Sequence, residues 1–226
     1  SADLWVRGNG AYAAGDFATA ADAYNQVADA GFATGDVWYN LGNTHLRLGH
    51  LGDAVACFLR ARALNPRDQD VRTNLEFARR SAKDALASIE PKPVLRTLFF
   101  WHYVLSVAEL RTIFIVANTL TWLLLALRLF RRSEVIGWLT VFSIVIAVAA
   151  GGSWAMREVL PERSAVVRNV EIDAHAGVSR DSVVRFKLHA GTEVAWLDRS
   201  GEWLRVAISS GEQAWVHQDD VITVEP

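Results

Sequence analysis

Apolar side chains recur with three different spacings along this chain of 226 residues. In roughly the first 90 residues they recur every three or four positions, which predicts amphipathic helices. From about Leu98 to Trp154 the chain is almost continuously apolar, which predicts helices that cross a membrane. From Ala165 onward, short apolar runs alternate with turn residues, which predicts a small β domain.

The helical region contains an internal repeat with a period of 34 residues. A fixed period of this length is typical of proteins built from stacked pairs of helices. We therefore predict repeats at about 1–34 and 35–68. The matched sites are Gly8-Asn9, Gly15, Ala20, Tyr24 and Val27 in the first copy, and Gly42-Asn43, Gly49, Ala54, Phe58 and Ala61 in the second.

The second copy, from Trp38-Tyr39-Asn40-Leu41-Gly42-Asn43 to Pro66, resembles the tetratricopeptide repeat. Gly42 and Ala54 are small where the two helices of a repeat approach, and Gly49 permits the turn between them. A third helix, predicted at 69–86 with Asp68 as its N-cap, would close the stack. The resemblance implies an all-α repeat superhelix at 1–88 that binds a segment of a partner protein.

Certain positions of the first helix of each repeat line the partner-binding groove in this family. The resemblance maps the groove to Trp5, Asn9, Tyr39 and Asn43, with Phe77 on the third helix. The two asparagines match those that some members use to hold a peptide backbone. Trp5 and Thr73 stand where lysines bind a terminal carboxylate in those members, so we expect an aromatic groove for a hydrophobic segment. The alternative is that Trp5 and Tyr39 cover the domain's own core or a membrane-facing side.

Two stretches are long enough to cross a bilayer, at 112–127 and 135–156, if Arg128 extends its charged head from the first. Trp138 and Trp154 are predicted to lie at the membrane interface. The loop at 131–134 and its flank carry Arg128, Arg131 and Arg132, which predicts a cytoplasmic loop and periplasmic termini. The basic residues on the other side are more dispersed. The only methionine is Met156, so the start Ser1-Ala2-Asp3 fits the end left by a removed signal peptide, or a trimmed chain.

The segment from Leu98 to Ala108 is apolar but too short to cross a bilayer. It is predicted to form a helix in the membrane interface, with Trp101 and Tyr103 at headgroup level, within a region at 89–111 that also contains a linker. The alternative is an ordinary helix packed against the repeat domain. Gly151-Gly152-Ser153 predicts close approach of another helix, most simply the first span.

The region 162–226 reads as half-buried strands separated by turns at Ala190-Gly191, 198–201 and 209–211. Its order of turn glycines and of Trp203 and Trp215 resembles bacterial SH3-like domains, which implies a small all-β barrel. His175, His189 and His217 lack metal-ligand spacing and are expected to be solvated, as are Asp219-Asp220. We therefore predict no metal site.

The charge balance, the cysteine count and the motifs of the chain argue against several classes of function. The 23 basic and 25 acidic residues give a net charge of -2, which does not favour nucleic-acid binding. The single cysteine, Cys57, excludes an internal disulfide and is predicted to be a small buried residue. No acid–base pair, thiol–histidine pair or nucleotide-binding loop is evident in the sequence, so we expect a protein without a catalytic site or cofactor.

The whole order of repeats, apolar hairpin and β domain, including the entry Leu98-Phe-Phe-Trp-His-Tyr, is similar to the E-type proteins of the Bat, or aerotolerance-operon, family. The resemblance implies an inner-membrane scaffold with periplasmic ends. It also implies partners among von Willebrand factor A-domain membrane proteins and, indirectly, a MoxR-type AAA+ ATPase. The alternative function is peptidoglycan binding by the SH3-like domain.

Overall fold

The structure is a computed structural model that describes residues 2–84, 93–131, 133–159 and 163–224. It divides into two compact units. One unit comprises residues 1–90 together with 162–226, so the helical repeats and the β domain belong to the same unit. The other unit comprises residues 91–161.

Among the described residues, five α-helices form the N-terminal stack of the first unit, and a short π-helix, Ala28–Phe32, follows the second of them. Two antiparallel pairs follow the 34-residue period and are succeeded by a single helix. Gly15 and Gly49, the period-related turn glycines, both adopt positive φ angles, 78° and 77°. The helices are α1 (Ala2–Ala13), α2 (Phe17–Val27), α3 (Gly35–Leu48), α4 (Leu51–Leu64) and α5 (Gln69–Ser81).

A contact between a glycine and an aromatic ring recurs in both pairs. A Cβ atom added to Gly8 would lie 2.7 Å from the Tyr24 ring, and one added to Gly42 would lie 2.7 Å from the Phe58 ring. Both rings are at most 1% exposed. The repeat therefore encodes its own packing, because glycine in one helix makes room for the ring in the next.

The single helix α5 is capped as predicted, since the Asp68 carboxylate accepts hydrogen bonds from the backbone N–H groups of Asp70 and Val71. Val71, Leu75 and Ala78 are buried. The helix is shorter than predicted, however, because Ala82 is extended (ψ 141°) and ends it at Ser81.

The C-terminal region is a sheet of seven strands in which every described pairing is antiparallel. The strand order is β3-β2-β6-β5-β4-β1-β7. Among the described residues no pairing joins β3 to β7, so the sheet is not closed into the predicted barrel. The strands are β1 (Ser164–Val167), β2 (Glu171–His175), β3 (Val184–His189), β4 (Glu193–Ser200), β5 (Trp203–Ala207), β6 (Gln213–His217) and β7 (Val221–Val224).

Two of the predicted turns have the expected glycine geometry, with φ angles of 85° at Gly191 and 88° at Gly211. The turn predicted at 198–201 is shorter, because β4 continues to Ser200, which pairs with Trp203. The prediction failed here because Asp198, Arg199 and Ser200 are all polar and exposed on an edge of the hairpin.

Strand β1 is buried on both faces, which explains its unbroken apolar run. Ala165 and Val167 belong to the core of the β domain. Val166, between them, packs with Phe58 and Leu75 of the helix stack. Because side chains of a strand alternate between its two faces, β1 lies between the sheet interior and the helices.

The second unit contains two short helices, α6 (Pro93–Leu98) and α7 (Phe100–Val104), followed by two long ones, α8 (Val107–Phe130) and α9 (Glu134–Val159). The long helices are long and apolar enough to cross a membrane, and only 11% and 22% of their most apolar windows are buried. The predicted fold class is thus confirmed as helical repeats, two long apolar helices and an all-antiparallel β domain.

Helix α8 begins at Val107, five residues before the predicted start of the first span at Thr112. The Ser106 hydroxyl accepts a hydrogen bond from the Glu109 backbone N–H, and the Glu109 carboxylate accepts one from the Ser106 N–H. This capping box starts the helix and gives Glu109 a role at its N-terminus, where a negative charge is favourable. The predicted interfacial segment is therefore divided between α6, α7 and the first turn of α8.

The two long helices pack through small residues, as expected for a hairpin. A Cβ atom added to Gly151 would lie 2.7 Å from the Phe114 ring of α8. The Ser143 hydroxyl donates a hydrogen bond of 2.8 Å to the Ala117 carbonyl oxygen. The partner predicted for the glycine-rich stretch is therefore α8 of the same hairpin.

Candidate partner-binding site

The predicted groove residues of α1 are engaged with Tyr24 of α2. The Tyr24 hydroxyl donates a hydrogen bond of 2.8 Å to the Asn9 side-chain oxygen. The Trp5 ring meets the Tyr24 ring edge to face at 5.6 Å between centroids. Burial raises the pKa of Tyr24, so this hydroxyl stays protonated and remains a donor. Asn9 therefore positions the core ring of its own repeat through the oxygen of its amide.

The groove residues of α3 are engaged with α5. The side-chain nitrogen of Asn74 donates to the Asn43 side-chain oxygen at 2.7 Å and to the Tyr39 hydroxyl at 3.2 Å. The Tyr39 ring also packs against Phe58, with 6.1 Å between centroids. All three polar side chains are half-buried. We call this group of Tyr39, Asn43 and Asn74 the asparagine bridge.

Phe77 lies three residues after Asn74 and so shares its face of α5. Its side chain is 55% exposed. An exposed aromatic ring beside half-buried amides combines apolar area with hydrogen-bonding groups, which is the composition of many interaction surfaces. The structure thus brings Tyr39, Asn43 and Phe77 to one side of the α3–α5 pair, while Trp5 and Asn9 group around Tyr24.

Asn74 was not predicted as a site residue, because its helix was expected only to close the stack. The spacing that could have found it is the shared helical face with Phe77.

The side of the stack formed by α4 and the end of α5 is covered by the β domain. Val166, Ile222 and Val224 pack there with Phe58 and Leu75. Gly52 permits the approach, because a Cβ atom at this position would lie 2.3 Å from the Val167 carbonyl oxygen. This side of the stack is therefore not accessible to other proteins.

Polar contacts surround this apolar interface. The Arg79 guanidinium donates two hydrogen bonds to the Glu193 carboxylate, at 2.6 and 2.9 Å. Arg60 donates to the Thr223 carbonyl oxygen at 2.8 Å and lies over the Trp38 ring. A bidentate pair of this kind fixes orientation as well as adding attraction.

Asp84 is the centre of a second polar cluster at the interface. Its carboxylate accepts hydrogen bonds from the backbone N–H and Nδ1 of His189, and from the Thr192 hydroxyl. Burial alone would raise the pKa of Asp84, but the hydrogen bonds from Thr192 and His189 outweigh it and lower the pKa below its ordinary value. Lys83 and Glu171 also lie against the His189 ring. Asp84 falls within the third helix predicted at 69–86, but the extended backbone at Ala82 ends that helix and turns Asp84 toward the β domain.

The three histidines of the β domain were predicted to be solvated, but each contacts other residues of the protein. His189 is held by Asp84, as described above. His175 is only 8% exposed and contacts the Ser182 carbonyl oxygen through Nδ1. The rings of His175 and His217 each meet the Trp203 ring edge to face, at 5.5 and 5.6 Å between centroids.

Trp203 and these two histidines line a shallow, open cleft of about 330 Å³. The rest of the lining comprises three carboxylates, one arginine and one apolar side chain, from Glu171, Asp173, Asp220, Arg180 and Ile172. Asp220 also accepts a hydrogen bond from Asn169, so the Asp219-Asp220 turn is only partly solvated. The cleft combines an aromatic ring with a predominantly acidic rim.

Cys57 is 3% exposed, and burial raises its pKa to about 12. A thiol with such a pKa remains protonated at neutral pH and is a poor nucleophile. The prediction of a small buried residue is confirmed.

The residues predicted for the membrane interface all lie in the second unit. The Trp101 indole donates to the Ser153 hydroxyl at 3.1 Å, and Tyr103 meets His102 edge to face. Trp154 packs against Phe114, whereas Trp138 is 74% exposed. Their depth in a bilayer stays a prediction.

Two of the three loop arginines lie among the described residues, and both are exposed. Arg128 lies near the end of α8, with its guanidinium over Gly137, and Arg131 follows the last residue of that helix. Arg132 lies outside the described residues.

A family model described as tetratricopeptide repeat matches residues 35–68, which comprise α3, α4 and the turn that leads to α5. This class is typically a non-enzymatic module for protein–protein interaction, built from stacked helix pairs. No curated protein matches the chain.

Proposed function

We propose that this protein is a membrane-anchored scaffold without catalytic activity, and that the asparagine bridge and Phe77 bind a hydrophobic segment of a partner protein. The observation that carries the proposal is the exposed Phe77 ring beside three half-buried polar side chains, on a helix pair similar to a known interaction module. We assign Trp5 and Asn9 of α1, which contact Tyr24, to the partner-binding groove as well.

The apolar hairpin supplies the anchor. Its large outward side chains need lipid around them, and the arginines at its turn favour a cytoplasmic loop. Both termini then lie in the periplasm of a bacterial inner membrane. An anchored site meets its partner at high effective concentration, so that modest affinity suffices.

The similarity of domain order to the E-type Bat proteins identifies the partner class to test. We propose a von Willebrand factor A-domain membrane protein as the direct partner and a MoxR-type AAA+ ATPase as an indirect one, in stress tolerance or envelope maintenance.

The test measures binding of the full chain, purified in detergent, to such an A-domain protein from the same organism. Phe77→Ala is expected to weaken binding by about tenfold or more, as for an aromatic residue central to an interface. Phe32→Ala is the matched control, because Phe32 is 53% exposed but lies outside the α3–α5 face. Asn74→Ala, which removes the donor of the asparagine bridge, is expected to weaken binding as well.

Unchanged binding of Phe77→Ala and Asn74→Ala would refute the assignment of the groove. Equal loss in Phe32→Ala would mean that the effect is not local. Absence of binding by the unaltered chain would reject the A-domain partner class.

A second candidate function is peptidoglycan binding by the β domain, which the cleft at Trp203 favours. An aromatic ring can stack on a sugar, and the acidic rim from Glu171, Asp173 and Asp220 can pair with the free amines of the peptide stems. The full chain in detergent should then sediment with purified sacculi, and Trp203→Leu should abolish this. Trp196→Leu is the control, since Trp196 is also half-buried in the β domain but does not line the cleft. Equal sedimentation of both variants would exclude the cleft.

A further inference from the structure

The turn between α3 and α4 brings three metal-ligating side chains together. His45 lies in the last turn of α3, His50 is the N-cap residue of α4, and Asp53 lies in the first turn of α4. Gly49, with its positive φ, reverses the chain between them. One ligand atom from each of the three residues lies within 4.8 Å of the others.

The His45 ring carries an unsatisfied group within this cluster. Its Nδ1 atom is buried and has no hydrogen-bond partner among the described residues. A buried polar atom without a partner costs about 1–3 kcal/mol, so native structures rarely retain one without a reason. The His50 ring lies 5.7 Å from that of His45, centroid to centroid, and His50 is exposed, which gives the cluster access to solvent.

An arginine side chain already contacts Asp53. The Arg168 guanidinium is 3.3 Å from the Asp53 carboxylate, and the Arg168 side chain is 51% exposed. Arg168 directly follows β1, so this ion pair joins the helix stack to the β domain. The Asp53 carboxylate therefore already interacts with one positive charge, which a metal ion would have to displace.

We propose that His45, His50 and Asp53 bind a divalent transition-metal ion, with Zn²⁺ as the best match. Two imidazoles and one carboxylate are a common donor set for Zn²⁺, with the fourth position left to water. Ligand bonds of about 2.0–2.2 Å require the three atoms to draw closer together than they stand, and the exposed His50 ring is the one free to move. The ion and Arg168 compete for the Asp53 carboxylate, so metal binding weakens one contact between the stack and the β domain.

The test measures Zn²⁺ binding by the full chain in detergent, prepared without a histidine tag and stripped with a chelator. Equilibrium dialysis is expected to give one ion per chain. His50→Ala and Asp53→Asn should each weaken binding by at least about tenfold, the scale seen when a supporting group of a metal site is lost. His102→Ala is the control, because His102 lies in the second unit, and it should bind as the unaltered chain does. Near-ultraviolet circular dichroism verifies that each variant is folded.

A further arm separates the proposed site from adventitious histidine binding. Arg168→Gln removes the competing cation and should tighten Zn²⁺ binding severalfold. Co²⁺ in place of Zn²⁺ should give a visible spectrum that His50→Ala abolishes. The proposal is overturned if the unaltered chain binds no ion, if His50→Ala and Asp53→Asn bind as well as the unaltered chain, or if only His102→Ala reduces the stoichiometry.

Discussion

The helix stack and the apolar hairpin are both α-helical, but they distribute their side chains in opposite ways. In the stack, Leu41, Phe58 and Leu75 are at most 1% exposed. In the hairpin, Leu129, Phe130 and Trp138 are 74–87% exposed, whereas Thr121, Ser143 and Ser153 are buried. The stack hides apolar surface from water. The hairpin turns it outward and hides hydroxyl groups, which is the arrangement that lipid favours.

The largest expected effect comes from emptying the core of the stack. Phe58→Ala should destabilise the stack by about 3–5 kcal/mol, because it removes a fully buried ring and leaves a cavity. Phe142→Ala is the matched change in the hairpin, where the ring is 64% exposed and detergent or lipid replaces its contacts. Hydrogen exchange measured separately for α3–α4 and for α8–α9 checks both. Strong deprotection of the hairpin by Phe142→Ala would mean that this ring is packed against protein.

A charge on each apolar surface tests what surrounds it. Val148 in the middle of α9 and Val6 in α1 are 68% and 67% exposed. Val148→Arg should cost about 2.5–3.5 kcal/mol of insertion free energy if lipid surrounds the hairpin. Val6→Arg should change stability by at most about 0.5 kcal/mol, as expected in water.

The measurement is the fraction of each variant that remains in membranes after alkaline extraction. Equal retention of Val148→Arg and Val6→Arg would contradict a lipid-facing hairpin and, with it, the anchor of the proposed scaffold.

The fold was predictable wherever a periodic pattern reflects local packing. The 34-residue period predicted the two helix pairs of the stack, and the long apolar runs predicted both helices of the hairpin. Strand β2 has no clear apolar run that would predict it, because Ile172 and Ala174 are the only buried apolar residues of Glu171–His175. The start of α8 was missed although Ser106 and Glu109 have the spacing of a capping box.

The candidate site was less predictable, because its contacts join residues far apart in sequence. Asn43 could be assigned from its family position, but its hydrogen bond to Asn74 depends on how α5 packs. In the same way, Asp84 contacts His189 across 105 positions, and no local pattern reports such a pair.

The polar contacts of Asp84 between the stack and the β domain should depend on pH, unlike the hydroxyl contacts within the hairpin. Asp84→Asn is expected to destabilise the joint between the stack and the β domain by about 1–3 kcal/mol, since hydrogen bonds to a charged group are lost. The pKa of Asp84 is lowered in the folded protein, so its contribution is present above the ordinary carboxyl pKa. It is lost as the pH falls through the lowered value.

Hydrogen exchange of β3 and β4 at neutral and acidic pH checks this expectation. The difference between the unaltered chain and Asp84→Asn should shrink in acid. Asp219→Asn is the control, because the Asp219 side chain is 78% exposed. A pH-independent difference would show that the charge of Asp84 is not what stabilises the joint.

The smallest expected effect is the loss of a hydroxyl buried between the hairpin helices. Ser143 donates to the Ala117 carbonyl oxygen and contacts the Thr121 hydroxyl at 2.8 Å. Ser143→Ala should cost only about 0.6 kcal/mol, because in membranes a freed hydroxyl finds other partners. Thr119→Val is the control, since the Thr119 hydroxyl bonds only within its own helix, to Ile115, among the contacts of the described residues. Hydrogen exchange of α8 should distinguish Ser143→Ala from Thr119→Val. If Ser143→Ala cost as much as Asp84→Asn, the hairpin interior would depend on its hydroxyl groups as strongly as the joint between the stack and the β domain depends on the charge of Asp84.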